Sequence, residues 1–293
     1  MSKSIERLGL GTMRMNFDNQ EESIKTIHKA LKSGIKMINI GEFYNAGATE
    51  LVLREALKDI PRDEYVISLK FGALPDLNGK YYGVDSDIRN IRAHLKYSLT
   101  RLGLDYVDIF EPARIDENAN IEDLMNELVK LKEEGYIKYI SLSEISPEVL
   151  KIANNIHHID YIEMRYSLIN RGIEDEMLKV AKELGIQVIV YGLNASGKLE
   201  ELVPKNILDK IKEFAKSRNI TLPVLCYAWA LNKNKDIICL TGCTKENHLD
   251  ELINALNIKL SEEDIINIEE CLEGTDIYNK QMLKNRIIDG KYV

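Results

Sequence analysis

Short apolar runs alternate along this chain with longer segments whose apolar positions recur every three or four residues. Eight of the short runs read as strands: Leu8–Met13, Lys36–Ile40, Tyr65–Lys70, Tyr106–Phe110, Tyr139–Ser143, Tyr161–Arg165, Gln187–Gly192 and Ile237–Gly242. The segments between them have a helical period. In EESIKTIHKALKSG, residues Ile24, Ile27, Ala30 and Leu31 share one face and Gly34 closes the segment. IEDLMNELVKLKEEG repeats the design and places Gly135 just past a helix end, and EDEMLKVAKELG ends the same way on Gly185. Such alternation predicts parallel strands joined by crossover helices. Eight units in about 250 residues predict a closed α/β fold, the (β/α)8 TIM barrel. The competing doubly wound sheet would carry a G-x-G-x-x-G turn after an early strand. GLGTMR lacks the third glycine and does not lead directly into a helix. No linker or low-complexity tract breaks the pattern, so residues 1–293 are expected to form one domain.

Composition narrows the possibilities. With 45% apolar and 29% charged residues, the chain can bury a sizeable core. A formal charge of −8 argues against nucleic acid or an anionic membrane as partner, because both require concentrated positive charge. No run approaches the roughly 18 apolar residues of a membrane span, and the start has no secretory core. A soluble, cytoplasmic protein is expected, either a monomer or a weak homo-oligomer. Cys226, Cys239, Cys243 and Cys271 lack metal-ligand spacing and read as reduced, mostly buried thiols.

In a barrel of this kind, functional side chains gather where strands end and loops begin. That rule puts Asn39 and Tyr44 after strand two and Lys70 at the end of strand three. Ser143 and Glu144 follow strand five, Glu163 and Arg165 close strand six, and Tyr191 closes strand seven. A lysine at a buried strand end must be paired or used, since desolvation disfavours its charge. A tyrosine beside that cation is expected to have its phenol pKa lowered, so that it can donate a proton near neutral pH. Tyr81 and Tyr82, in the long loop after strand three, and the tail from Tyr278 to Val293 are candidates for a substrate wall. Trp229 reads as core, and His94, His157 and His158 as solvated.

At this point six motifs in order resemble the aldo-keto reductase superfamily. RLGLGTMRM resembles its first-strand signature. GEFYNAGATE is similar to its D/E-x-Y-G-x-G-x-S/N-E segment, and LKFGA places Lys70 on the catalytic lysine. YIKYISLSEIS, MRYSLINRGIEDE and VYGLNASGKL resemble its cofactor-binding strands, and LTGCTKENHLDEL its adenosine-binding segment. The texture is closest to a bacterial branch with PAR after strand four (Pro112–Arg114) and LSE after strand five (Leu142–Glu144).

The resemblance implies an NADP-dependent oxidoreductase, with NAD(H) the less favoured cofactor, that reduces a small carbonyl substrate by direct hydride transfer. Tyr44 would be the proton donor, assisted by Lys70. The family's Asp and His are here Asn39 and Ala113. An amide cannot supply the carboxylate's charge, so the pKa of Lys70 is expected to fall. A catalytically impaired or re-purposed nicotinamide-binding barrel is therefore the alternative.

The same resemblance places cofactor contacts at Gly11, Thr12 and Met13, and at Asn39 on the ribose. Ser143, Glu144 and Glu163 fall around the carboxamide, where Glu163 replaces the usual Gln. Tyr191 would stack beneath the nicotinamide. Gly192, Leu193, Ser196 and Gly197 would follow the pyrophosphate. Gly242, Cys243, Thr244 and Lys245 precede a helix and, with His248 and Glu251, would hold the adenosine end. No metal is expected.

Overall fold

All eight expected strands form, and they close on one another in chain order. The computed structural model describes residues 5–272, together with the backbone of the short pair Ile287–Ile288 and Lys291–Tyr292. The barrel strands are β1 (Leu8–Gly11), β2 (Met37–Gly41), β3 (Val66–Phe71), β4 (Val107–Pro112), β5 (Ile137–Ser143), β6 (Tyr161–Arg165), β7 (Gln187–Tyr191) and β8 (Ile237–Gly242). Each pairs in parallel with its sequence neighbours, and β8 returns to β1. Parallel register requires crossovers, and the amphipathic segments supply them.

The expected helices appear at Gln20–Lys32, Ile121–Glu133 and Met177–Glu183. The second shows why the local sequence folds so. Asn120 accepts hydrogen bonds from the backbone N–H of Glu122 and Asp123, and Leu124, Met125, Leu128 and Leu131 bury one face. Gly135 then takes φ 83°, which a side chain would resist. Shortening Leu128 to alanine in that face would cost about 2–5 kcal/mol. The third helix starts later than its pattern suggested, because residues Gly172–Glu174 form a 3-10 turn first. Trp229 is fully buried, as expected, with its indole N–H donating to Glu269 at 2.8 Å. Cys226, Cys239 and Cys243 are buried free thiols, and Cys271 is half-buried. Among the described residues no helix is long and apolar enough to cross a membrane.

The loop after β3 is more ordered than its composition suggested. It contains an antiparallel hairpin, Ala73–Pro75 with Tyr81–Val84. Gly72 makes its entry possible, since a Cβ there would lie 2.1 Å from the carbonyl oxygen of Asp85.

Register sets the level of the site. Gly11 pairs with Asn39, Gly41 with Lys70, Lys70 with Glu111, Ser143 with Glu163, and Arg165 with Tyr191. The carboxyl ends of the strands thus bring residues from distant parts of the chain to one rim.

Candidate active site

Tyr44 follows β2 in a tight turn whose next two residues, Asn45 and Ala46, both sit in the left-handed region at φ 49° and 51°. Non-glycine residues there carry strain that the surroundings must hold. Asn45 provides the hold: its amide donates to the carbonyls of Met13 and Met15 at 3.1 Å each and meets the Thr49 hydroxyl at 2.9 Å. Gly41 leaves room for the ring, because a Cβ there would come within 2.9 Å of Tyr44 Cε1. Tyr44 is thereby fixed against Phe43, edge to face at 5.0 Å.

The Lys70 ammonium lies 5.5 Å from the Tyr44 ring centroid. Burial pushes the phenol up to about 12, against the opposing pull of the Lys70 charge and hydrogen bond. The expected lowering of that pKa is therefore corrected. Tyr44 is 9% exposed, and loss of water outweighs the neighbouring cation. The consequence is a phenol that stays protonated near neutral pH, with a cation beside its ring.

A second correction concerns Lys70 itself. Its ammonium donates to Asn39 Oδ1 at 2.5 Å and pairs with Glu163 Oε1 at 3.0 Å. Asn39 Nδ2 donates to Glu163 Oε2 at 2.6 Å and to Ser68 Oγ at 3.2 Å. Burial works against the ammonium, but the charges of Glu163, Tyr44 and Glu111 outweigh it and hold its pKa above the ordinary lysine value. The fall expected from losing a carboxylate at position 39 does not occur, because another carboxylate reaches the lysine from β6. Glu163 thus faces the lysine rather than standing only as a carboxamide ligand. Behind this cluster, Glu111 is fully buried and accepts from the Ser141 hydroxyl. Burial holds its carboxyl well above the usual carboxylate range, and Glu163 pushes the same way.

The phenol and the ammonium open into a cavity of about 1350 Å³ that runs from the hairpin to the helix Glu246–Asn254. Of the residues singled out from the sequence, Gly11, Thr12, Met13, Asn39, Tyr44, Lys70, Glu163, Tyr191, Gly192, Leu193, Gly197, Gly242, Cys243, His248 and Glu251 line it. Tyr81 and Tyr82 line it too, at the hairpin end. Ser143, Glu144, Thr244 and Lys245 are not among the lining residues. Ser143 is fully buried, with its hydroxyl 3.4 Å from Arg114 Nη1. Glu144, at φ 52°, turns its carboxylate back to accept from the backbone N–H of Arg165 at 2.5 Å. The Thr244 carbonyl is taken by the Thr26 hydroxyl at 2.9 Å. The Ser196 side chain and the tail 278–293 lie outside the described residues, apart from the backbone pairing at Ile287–Ile288 and Lys291–Tyr292.

Further lining residues come from the strand ends and the first loop. Arg114 Nη2 donates to the Tyr191 hydroxyl at 3.1 Å, and the Arg165 guanidinium sits 5.5 Å from the Tyr191 ring centroid. Arg114 closes the PAR motif after β4, and Arg165 is marked by its place at the end of β6. Arg14 lies close to Gly197, where a Cβ would meet its Nη2 at 3.3 Å. His94, read as solvated, is instead held between Glu42 Oε1 at 2.6 Å and Asp85 Oδ2 at 3.2 Å. Among the described residues no cluster of His, Cys, Asp and Glu could hold a metal ion.

A sequence profile described as the Aldo/keto reductase family matches residues 7–273. A probable aldo-keto reductase 1 from Glycine max is 32% identical, over 93% of this chain and 87% of that protein. A glycerol dehydrogenase structure from Gluconobacter oxydans superposes with a TM-score of 0.78 at 23% identity, covering 91% of each chain. An aldo-keto reductase from Klebsiella pneumoniae, solved in complex with NADPH, gives a TM-score of 0.78 at 22% identity over 90% of each chain. The two superpositions agree on the barrel. With a profile match that spans nearly all of its strands and helices, this chain belongs to the aldo/keto reductase family.

Proposed function

We propose that this protein is an NADPH-dependent carbonyl reductase in which Tyr44 protonates the substrate oxygen and Lys70 stabilises the charge left on the phenol. The observation that carries the reading is the buried Tyr44 phenol beside the Lys70 ammonium, both opening into one long cavity. Its volume, about 1350 Å³, suits a dinucleotide with a small substrate, above the range of roughly 300–1,000 Å³ usual for small-ligand sites.

The residues present fit the cofactor. Tyr191 offers a half-buried aromatic surface in the same cavity as Tyr44 and Lys70, held from its hydroxyl by Arg114. Gly242 leaves open space at the far end, with no atom within 4 Å of where a Cβ would project. His248 and Glu251 lie beyond it on the helix that starts at Glu246. When bound, NADPH supplies the hydride. The chain's own residues do the rest. Tyr44 delivers its hydroxyl proton to the oxygen, and Lys70 lowers the energy of the resulting phenolate. Tyr191 would offer its ring face to the nicotinamide, and Phe43 and Tyr81, edge to face at 5.5 Å, line the hairpin side of the cavity. Asn39 has both amide hydrogens engaged, so a ribose hydroxyl would meet it only through the remaining lone pair on Oδ1. The preference for NADPH over NADH rests on His248 at the adenosine end and on the NADPH-bound relative from Klebsiella pneumoniae.

Ala113 favours a second reading, a barrel that binds the cofactor without turnover, because no imidazole stands beside the phenol at that position. NADPH consumption against a broad panel of aldehydes and ketones separates the two. Turnover supports the reductase. Tight NADPH binding with no turnover on any carbonyl overturns it.

A further inference from the structure

We propose that Glu163 is a positioning residue that supplies the counter-charge to Lys70, so that the carboxylate and the amide of this site have exchanged strands, with Asn39 as the neutral link between them. This rests on the reading of Tyr44 and Lys70 as the proton-donating pair. The arrangement is dictated by what each group can donate and accept. An ammonium only donates, and an ionised carboxylate only accepts. A side chain that touches both members of their direct pair must therefore accept from one and donate to the other, which an amide does and an ionised carboxylate does not. Asn39 does both, taking Lys70 at 2.5 Å on Oδ1 and giving a hydrogen to Glu163 at 2.6 Å from Nδ2. An ionised aspartate at position 39 would set two carboxylates against each other at that distance. The Asn39 amide is thus required by Glu163, and the two residues form one unit.

Burial makes the unit consequential. Asn39 is 2% exposed, Glu163 2% and Lys70 5%, so a group that loses its partner is left largely out of bulk water. Removing one member of a buried pair leaves a charge uncompensated, which is far more disruptive than changing both together. Glu111 lies behind this pair with its carboxyl raised by burial and by Glu163, and the direct ion pair of the cluster is Lys70 with Glu163.

The exchange predicts a reciprocal result in three full-length variants. Glu163→Gln removes the carboxylate that is paired with Lys70 and lowers kcat by about ten- to a hundredfold, the effect of one to two pKa units on the pair. Asn39→Asp adds a carboxylate against Glu163 and lowers kcat as well. The double variant Asn39→Asp/Glu163→Gln restores one carboxylate and one amide, and recovers kcat to within about fivefold of the parent. A readout independent of turnover is the 13Cε resonance of Lys70 in the cofactor-free protein, assigned by its loss in Lys70→Met. In the parent and the double variant it does not titrate below about pH 11, whereas in Glu163→Gln it titrates below the ordinary lysine value of about 10.4.

Additive losses in the double variant would overturn the proposal, as would a gain of activity in Asn39→Asp or an unshifted Lys70 resonance in Glu163→Gln. If Glu163→Gln does not fold, the double variant decides alone: folded with a charged Lys70 supports the exchange, and unfolded refutes it. Should the parent bind NADPH yet reduce nothing, the proposed function fails while the Lys70 resonance still judges the exchange.

Discussion

Replacing His94 by glutamine tests how the cavity's hairpin wall is held. The imidazole joins Glu42, at the start of the site loop, to Asp85, at the end of the hairpin segment. Glu42 also accepts the backbone N–H of Gly72 at 2.8 Å, and Asp85 donates its own N–H to the Gly72 carbonyl at 2.6 Å. One side chain therefore ties together both ends of the segment that carries Tyr81 and Tyr82. Burial works against the imidazolium, but the hydrogen bonds and charges of Glu42 and Asp85 outweigh it, so the His94 pKa is raised. The direction fixes the sign. A group whose folded pKa lies above its unfolded value stabilises fully below the unfolded value, about 6.5 for histidine, and that contribution disappears as pH rises through the folded pKa.

Hydrogen bonds to charged groups contribute roughly 1.5–3 kcal/mol each. Discounted for a partly exposed site, the two together amount to about 2 kcal/mol. Urea denaturation of parent and His94→Gln, run from about pH 5.5 to pH 9, should give a difference near 2 kcal/mol at the acid end. Toward pH 9 it should shrink to about 0.5 kcal/mol, the remainder from packing. Because packing does not titrate, the slope isolates the charge. A difference that is flat or grows with pH would refute the reasoning.

Three further outcomes are expected. Tyr44→Phe removes only the hydroxyl and should lower kcat by about a hundredfold or more, with the NADPH Kd within about twofold of the parent; an unchanged kcat would show the acid lies elsewhere. Gly41→Ala forces the Tyr44 ring away from its seat, since the new methyl would start 2.9 Å from Cε1, and should lower kcat by about tenfold while leaving NADPH binding nearly intact. Direct titration will show whether His248→Ala weakens NADPH more than NADH, by up to about fivefold, while Lys245→Ala changes neither; an opposite ranking would move the phosphate-binding role to Lys245.

Most of the barrel was legible because strand runs and helical periods are repeated eight times and share one direction. The rim rule then brought Asn39, Tyr44, Lys70, Glu163 and Tyr191 together before any contact was known, since each ends a strand or begins its loop. What sequence could not give was which side chains touch across the barrel. Lys70 and Glu163 are 93 residues apart, and their contact depends on facing strands and side-chain reach. The phenol's pKa was misjudged for a related reason: a strand-end cation can be read from a sequence, whereas the depth of burial cannot. His94 and the hairpin were missed because their partners come from a polar, glycine-bearing segment with no clear period. Lys245 and Thr244 follow β8 as their motif suggested, yet neither is among the residues that line the cavity.

The most direct measurement follows isotope from the reduced cofactor into product. NADPH carrying deuterium at both C4 positions is incubated with an aldehyde that the protein consumes, and the alcohol is examined by mass spectrometry. One deuterium on the carbinol carbon, formed by the parent and slowed about a hundredfold or more in Tyr44→Phe, is the predicted result. Bound NADPH with no labelled alcohol, or equal labelling by the Tyr44→Phe variant, would contradict the account.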